Sequence, residues 1–181
     1  MRRRLIASSI LAIAAGGCSG PVITHMQNED RDFVSSFFRY EAADGVVPVE
    51  IYGAPRGVDP AGYAAAVAAG IQPPMWEPPA RFQPVEQGGA PFRMVLMMGV
   101  PANVGGQRAC ADPAKVGLFP DQAPLRVQGA MCSGGDALTS ALATLDPPPD
   151  GPQDPRFRAM LYQLAVALMP EPRKEADGFV P

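Results

Sequence analysis

The sequence contains very little of the side-chain chemistry on which most enzymes depend. Its 181 residues include a single histidine, His25, and only three cysteines. A serine or cysteine nucleophile is usually activated by a histidine base, and a zinc site needs several histidine or cysteine ligands. His25 lies close to the N-terminus, in a polar stretch that we expect to be a tether. We therefore predict no catalytic residue, no metal site and no cofactor.

Carboxylates leave one catalytic alternative open. Glycan hydrolysis requires only two carboxylates, one on each side of the scissile bond. The predicted domain at residues 32–170 contains four glutamates, namely Glu41, Glu50, Glu77 and Glu86. Nothing in their spacing selects a pair. A carboxylate-dependent periplasmic hydrolase of cell-wall glycan is therefore the alternative to a non-catalytic function.

Long apolar runs are also missing, apart from a short one at the N-terminus. The arginines at positions 2–4 are followed by apolar and small residues at 5–15. Crossing a bilayer takes roughly 20 apolar residues, so this run is too short for a transmembrane helix. A charged head, a short apolar run and small residues at its end are typical of a secretory signal. We predict that residues 1–17 are a signal peptide that is removed on export.

The end of this signal, Ala15-Gly16-Gly17-Cys18, resembles the lipobox of bacterial lipoproteins. The resemblance covers only the signal and its cleavage site. It implies cleavage after Gly17 and a diacylglycerol on Cys18, usually with a further acyl chain such as palmitate on the new amino group. Two or three acyl chains together hold a protein stably on a membrane. Ser19, where aspartate would favour the inner membrane, implies an outer-membrane lipoprotein that faces the periplasm of a Gram-negative bacterium.

The charge of the chain limits the kinds of partner it can bind. Its net charge is −3, and loss of the three arginines within residues 1–17 brings the mature chain to −3 − 3 = −6. An acidic chain without basic clusters argues against nucleic acid as a partner. It also argues against electrostatic docking to anionic headgroups, so the N-terminal lipid would make the membrane contact. An envelope protein or a cell-wall component remains as a partner.

Cys110 and Cys132 form an even pair once Cys18 carries lipid. The periplasm is oxidising, and such a pair in an exported domain most often forms a disulfide. A metal pair or a redox dithiol is the alternative, but the two cysteines have neither a CxxC spacing nor a nearby histidine. We therefore predict a disulfide bond between them.

The chain divides into a tether, one domain and a tail. Residues 18–31 are polar and unpatterned, which predicts a flexible tether. Residues 32–170 carry the apolar periodicity of a single globular domain, and residues 171–181 form a polar C-terminal tail. Proline and glycine are abundant, but the periodicity disfavours the alternative of an unstructured chain.

Four runs of β-branched, aromatic or apolar residues predict strands. They are 33–41, 46–52, 92–100 and 125–132. Asp44-Gly45 between the first two favours a hairpin, although Phe33 and Phe37 with their neighbours also fit a helical face. Pro48 suggests that the second strand lies at a sheet edge.

Three helices are predicted from capping signals followed by apolar periodicity. Two of them begin with an aspartate and a proline, at Asp59 and Asp154, and the third begins at Asp136. We expect an α+β fold with a small, mostly antiparallel sheet of about four strands and about two to three helices on one face.

Trp76 lies in the proline-rich segment 72–91. An aromatic side chain on a stiff, extended segment can anchor a partner, or it can fold back over the core. Both interpretations stay open. Together, the lipid signal and the missing catalytic groups predict a lipid-anchored envelope lipoprotein with a non-catalytic binding or structural role.

Overall fold

The computed structural model describes residues 20–28, 31–71, 80–88 and 90–169. Gly17, Cys18 and Trp76 lie outside the described residues, as does the predicted tail at 171–181. Within the described ranges, none of the helices combines the length and the apolar character that crossing a bilayer requires.

The described chain is an α+β fold in which strands and helices largely alternate. The strands are β1 (Val22–Asn28), β2 (Val46–Tyr52), β3 (Arg81–Pro84), β4 (Phe92–Met98), β5 (Leu125–Ser133) and β6 (Asp136–Leu145). The helices are α1 (Arg31–Glu41), α2 (Pro60–Gly70), α3 (Gly106–Ala111) and α4 (Pro155–Leu168), with a short 3-10 turn at Pro113–Lys115.

All of these strands belong to one mixed sheet. The strand order in this 6-stranded sheet is β1-β6-β5-β4-β2-β3. The pairs β1–β6, β6–β5 and β5–β4 are antiparallel, whereas β4–β2 and β2–β3 are parallel. The sheet therefore has more strands than we predicted. It is mixed because α2 returns the chain from β2 to a neighbouring strand of the same direction.

Helices cover both faces of the sheet. The larger core packs α1, α2 and α4 against one face, with Phe157, Leu161 and Leu164 of α4 fully buried. A second, smaller core lies on the other face, where α3 packs against β4, β5 and β6. The expectation of helices on one face is therefore wrong for α3, a helix that the sequence analysis did not predict.

The first predicted strand, 33–41, is instead the helix α1. Val34 and Phe38, four positions apart, are both buried in the larger core, which is the spacing of a helical face. Asp44 and Gly45 consequently do not form a hairpin but end the link from α1 to β2. Gly45 has a φ of 72°, and the Val46 N–H donates to the Asp44 side chain at 3.0 Å.

The predicted helix beginning at Asp136 is instead the strand β6. Ser133 and Asp136 face each other, so the link between β5 and β6 is a two-residue turn in which Gly134 has a φ of 58°. Strand pairing on both sides, to β5 and to β1, outweighs the helical spacing of the leucines in this segment.

Residues 22–28, which we predicted as part of a flexible tether, form β1. This strand pairs with β6 from Val22 opposite Thr144 to Asn28 opposite Thr139, and it contains His25. Ile23 packs against the larger core. The polar composition that suggested a tether is that of a strand at the edge of the sheet.

The capping signals of the other two helices are confirmed. The Asp59 carboxylate accepts a hydrogen bond from the Gly62 N–H at 2.7 Å at the start of α2. The Asp154 carboxylate accepts one from the Arg156 N–H at 2.8 Å at the start of α4. Pro48 does not place β2 at an edge of the sheet. β2 pairs with β4 only from Val49 onward, so this pairing does not need the backbone N–H that Pro48 lacks.

The predicted disulfide is present between Cys110 of α3 and Cys132 of β5. Both residues are buried in the smaller core. The bond therefore fastens the short helix α3 to the sheet across a sequence separation of 22 residues.

We expect the double substitution Cys110→Ser/Cys132→Ser to lower the free energy of unfolding by about 3 kcal/mol, because it releases the unfolded chain from a closed loop. Urea denaturation measures this difference, with Cys18→Ser as the control that leaves the value unchanged. Two reactive thiols in denatured, unreduced Cys18→Ser protein would contradict the bond.

Candidate functional site

One end of the sheet gathers the loops that are available for binding. The strands β2, β3, β4 and β6 finish there, and β1 and β5 begin there. Ligands of open α/β sheets commonly bind outside the carboxyl ends of parallel strands. We call this region the groove end, and it is formed by residues 53–59 after β2, 118–122 before β5 and 148–152 after β6.

Two adjoining cavities open between these loops. The first, of about 480 Å³, lies between residues 53–56 and residues 118–122. The second, of about 380 Å³, lies between α2 and the prolines at 148–152. Pro120 and Asp121 line both cavities, so the two form one groove. Each volume lies in the range of small-molecule and peptide sites.

An exposed ion pair crosses the groove. The Arg56 Nε lies 2.9 Å from the Asp121 Oδ2, and it joins the loop after β2 to the loop before β5. The Arg56 side chain is almost fully exposed. Exposed pairs of this kind contribute little to stability, so both charged groups can change partner without a large cost.

Apolar side chains line the remainder of the groove. Val58 and Phe119 are exposed at its rim, and Tyr63 of α2 is buried in its wall. Burial raises the pKa of the Tyr63 hydroxyl from its ordinary value to about 12. The groove thus combines apolar contact area with one exposed ion pair.

Gly99 fixes the position of Phe119. It follows β4 with a φ of 74°, a conformation that glycine adopts without strain. The Phe119 N–H donates to the Gly99 carbonyl at 2.8 Å, and a Cβ at Gly99 would overlap the backbone of Phe119. The loop before β5 therefore lies directly against the end of β4 only because this residue is glycine.

A second polar cluster lies buried on the face that carries α3. Glu50 of β2 is 0% exposed and Arg93 of β4 is 7% exposed. The Arg93 Nε lies 2.9 Å from the Glu50 Oε1, where the same oxygen accepts the Gly88 N–H at 2.8 Å. The Tyr52 hydroxyl donates to the Glu50 Oε2 at 2.9 Å. Both carboxylate oxygens of Glu50 are therefore engaged.

The guanidinium of Arg93 connects separate parts of the chain. Its terminal nitrogens donate to the carbonyls of Ala90 at 3.2 Å, Gly134 at 2.8 Å and Cys110 at 3.0 Å. These carbonyls belong to the segment before β4, the turn between β5 and β6, and helix α3. Arg93 therefore holds three segments against the sheet.

The structure places the candidate catalytic glutamates in different environments. Glu50 is enclosed in the cluster described above, whereas Glu41 on α1 and Glu86 after β3 are exposed. Glu77 lies outside the described residues. Across the part of the chain that the structure describes, no group of three or more His, Cys, Asp and Glu side chains is placed to hold a metal ion.

Sequence reasoning missed Arg93 and the whole groove. Arg93 had a readable signal, because it is the one charged residue in the apolar run of β4 (FRMVLMM). A charge inside a buried strand requires a partner. Arg56 and Asp121 had no such signal, because they are 65 positions apart in loops of ordinary composition.

Comparison with known proteins identifies no similar protein. No family model matches the chain, and neither the curated proteins nor the solved structures give a match.

We expect Arg93→Met to lower the free energy of unfolding by about 3–5 kcal/mol, because it leaves the carboxylate of Glu50 buried and unpaired. Arg56→Met is the matched control, and it should change the stability little because the pair it breaks is exposed. Glu50→Gln combined with Arg93→Met should recover part of the loss. Equal losses from the two arginine variants, measured by urea denaturation, would contradict this assignment.

Stability should also fall at alkaline pH. Burial, together with the hydrogen bond to Glu50, raises the pKa of the Tyr52 hydroxyl well above its ordinary value. The stability that this group contributes is present below about pH 10 and is lost as the pH rises through the folded-state value. The free energy of unfolding, measured at pH values from about 8 to about 11, should decline less steeply for Tyr52→Phe than for the wild type. An equally steep decline would contradict the hydrogen-bonded placement of Tyr52.

Proposed function

We propose that the chain is a lipid-anchored envelope lipoprotein that binds an envelope component at the groove end and does not catalyse a reaction. In this proposal Cys18 carries the lipid after cleavage behind Gly17. The mature domain then lies on the periplasmic side of the outer membrane of a Gram-negative bacterium. Its contacts are the membrane and an envelope protein or cell-wall component.

The observation that carries the proposal is where β1 enters the sheet. Val22, the first residue of β1, is four positions after Cys18 and lies opposite Thr144 near the end of β6. The chain therefore enters the sheet at the groove end. A lipid on Cys18 would bring the groove close to the envelope surface.

The division of the cysteines supports an exported, lipidated chain. Two of the three cysteines, Cys110 and Cys132, are joined in a buried disulfide. Disulfides persist in oxidising compartments such as the periplasm. Cys18 is then left for the lipid.

The polar chemistry supports binding rather than catalysis. The buried carboxylate of Glu50 is held by Tyr52, Gly88 and Arg93 and is fully enclosed, so a glycan could not reach it in this arrangement. The groove offers exposed apolar side chains and an ion pair that can exchange partners. Exposed apolar side chains beside polar groups are typical of a contact surface.

We expect Cys18→Ser to abolish incorporation of a palmitate analogue and to shift the protein from the membrane fraction to the soluble fraction, because the thioether-linked lipid cannot form. Metabolic labelling followed by fractionation measures both. The Cys110→Ser/Cys132→Ser variant is the control, and it should keep the label.

Two outcomes would contradict the proposal. Wild-type levels of palmitate label on the Cys18→Ser protein, or unchanged membrane association of Cys18→Ser protein from which the signal peptide has been removed, would contradict the lipid anchor. Release of soluble fragments from purified cell-wall glycan by the wild-type protein would remove the non-catalytic role and favour the hydrolase.

A further inference from the structure

We infer that the groove end rests on the bilayer that holds the lipid, with the headgroup layer as its occupant. This inference depends on the proposed function, because it needs the lipid on Cys18. It goes further by naming the component that the groove end contacts. The opposite end of the sheet, which carries α1, then points away from the membrane.

The short link between Cys18 and β1 limits where the membrane can be. An extended chain spans at most about 3.3–3.6 Å per residue, so the four positions between Cys18 and Val22 reach about 14 Å. Val22 is fixed to Thr144 by strand pairing. The lipid attachment point must therefore lie within that distance of the groove end.

The far end of the sheet is beyond this reach. β6 has 10 residues, which corresponds to a length of about 30 Å. Its first residue, Asp136, faces Ser133 at the far end, where the chain also turns from β1 into α1. The distance from Val22 to the α1 end is thus about twice the reach of the link.

Exposed apolar side chains at the groove end match a lipid surface. Val22, Val58 and Phe119 are all exposed there. The charged side chains that line the groove are one arginine, Arg56, and two aspartates, Asp121 and Asp150. Apolar contact, rather than attraction of the protein to anionic headgroups, would therefore hold this end to the bilayer.

The molecule provides a matched control for this orientation. Phe119 at the groove end is 50% exposed, and Tyr40 on α1 is 79% exposed. Both are aromatic and at least half exposed, so the larger photoreactive side chain of p-benzoylphenylalanine can be placed at either position. A surface that merely captured lipid through exposed aromatic rings would react more at position 40 than at position 119.

The experiment places this photoreactive residue at Phe119 or at Tyr40 in the full chain. Each protein is purified from membranes and reconstituted in vesicles of phosphatidylethanolamine and phosphatidylglycerol. Phospholipid adducts are counted by mass spectrometry after irradiation. We expect several-fold more adduct at position 119 than at position 40, with little dependence on the phosphatidylglycerol fraction.

Two results would overturn the inference while leaving the lipid anchor intact. The first is equal or greater phospholipid adduct at position 40 in protein whose N-terminal peptide carries the lipid. The second is capture of a protein instead of phospholipid at position 119 when the same residue is irradiated in cells, which would make a protein the occupant. If the N-terminal peptide carried no lipid, this result would instead contradict the proposed function, and this inference with it.

Discussion

The ion pair between Glu50 and Arg93 organises the smaller face of the sheet. Burying two charges is costly, and their attraction compensates only when the remaining hydrogen-bonding groups are also satisfied. Here main-chain atoms of the segment before β4, the β5–β6 turn and α3 satisfy the Glu50 Oε1 and the terminal nitrogens of Arg93. The Arg93 Nε lies 2.9 Å from the Glu50 Oε1 as a charge contact and makes no hydrogen bond within the described residues. Cys110 provides one of these carbonyls and also forms the disulfide, so two restraints meet at one residue of α3.

Elements with two independent sequence signals were predicted correctly. The helices α2 and α4 combine an aspartate cap and a proline with apolar periodicity, and β4 and β5 are apolar runs bounded by turns. Segments with a single, ambiguous signal were not predicted correctly. The aromatic pattern of α1 fits either period, and β6 is a strand only because it has a partner on each side, a property of the tertiary structure.

The candidate site was less predictable than the fold. The cysteine pair could be predicted because the expected compartment and an even count point to the same chemistry. The groove could not, because it exists only where three separate loops meet at one end of the sheet. Gly99 illustrates the difficulty, since its sequence context suggests an ordinary turn. Its backbone nevertheless determines where Phe119 lies, through a contact 20 positions away in the chain.

The pairing of β1 with β6 also sets an order of assembly. Val22 pairs with Thr144, so β1 can complete its pairing only once the chain beyond residue 144 is available. Contacts between such distant positions form late, because closing the intervening loop costs entropy. Until then the outer edge of β6 is unpaired, which is the kind of edge that joins strands of other molecules.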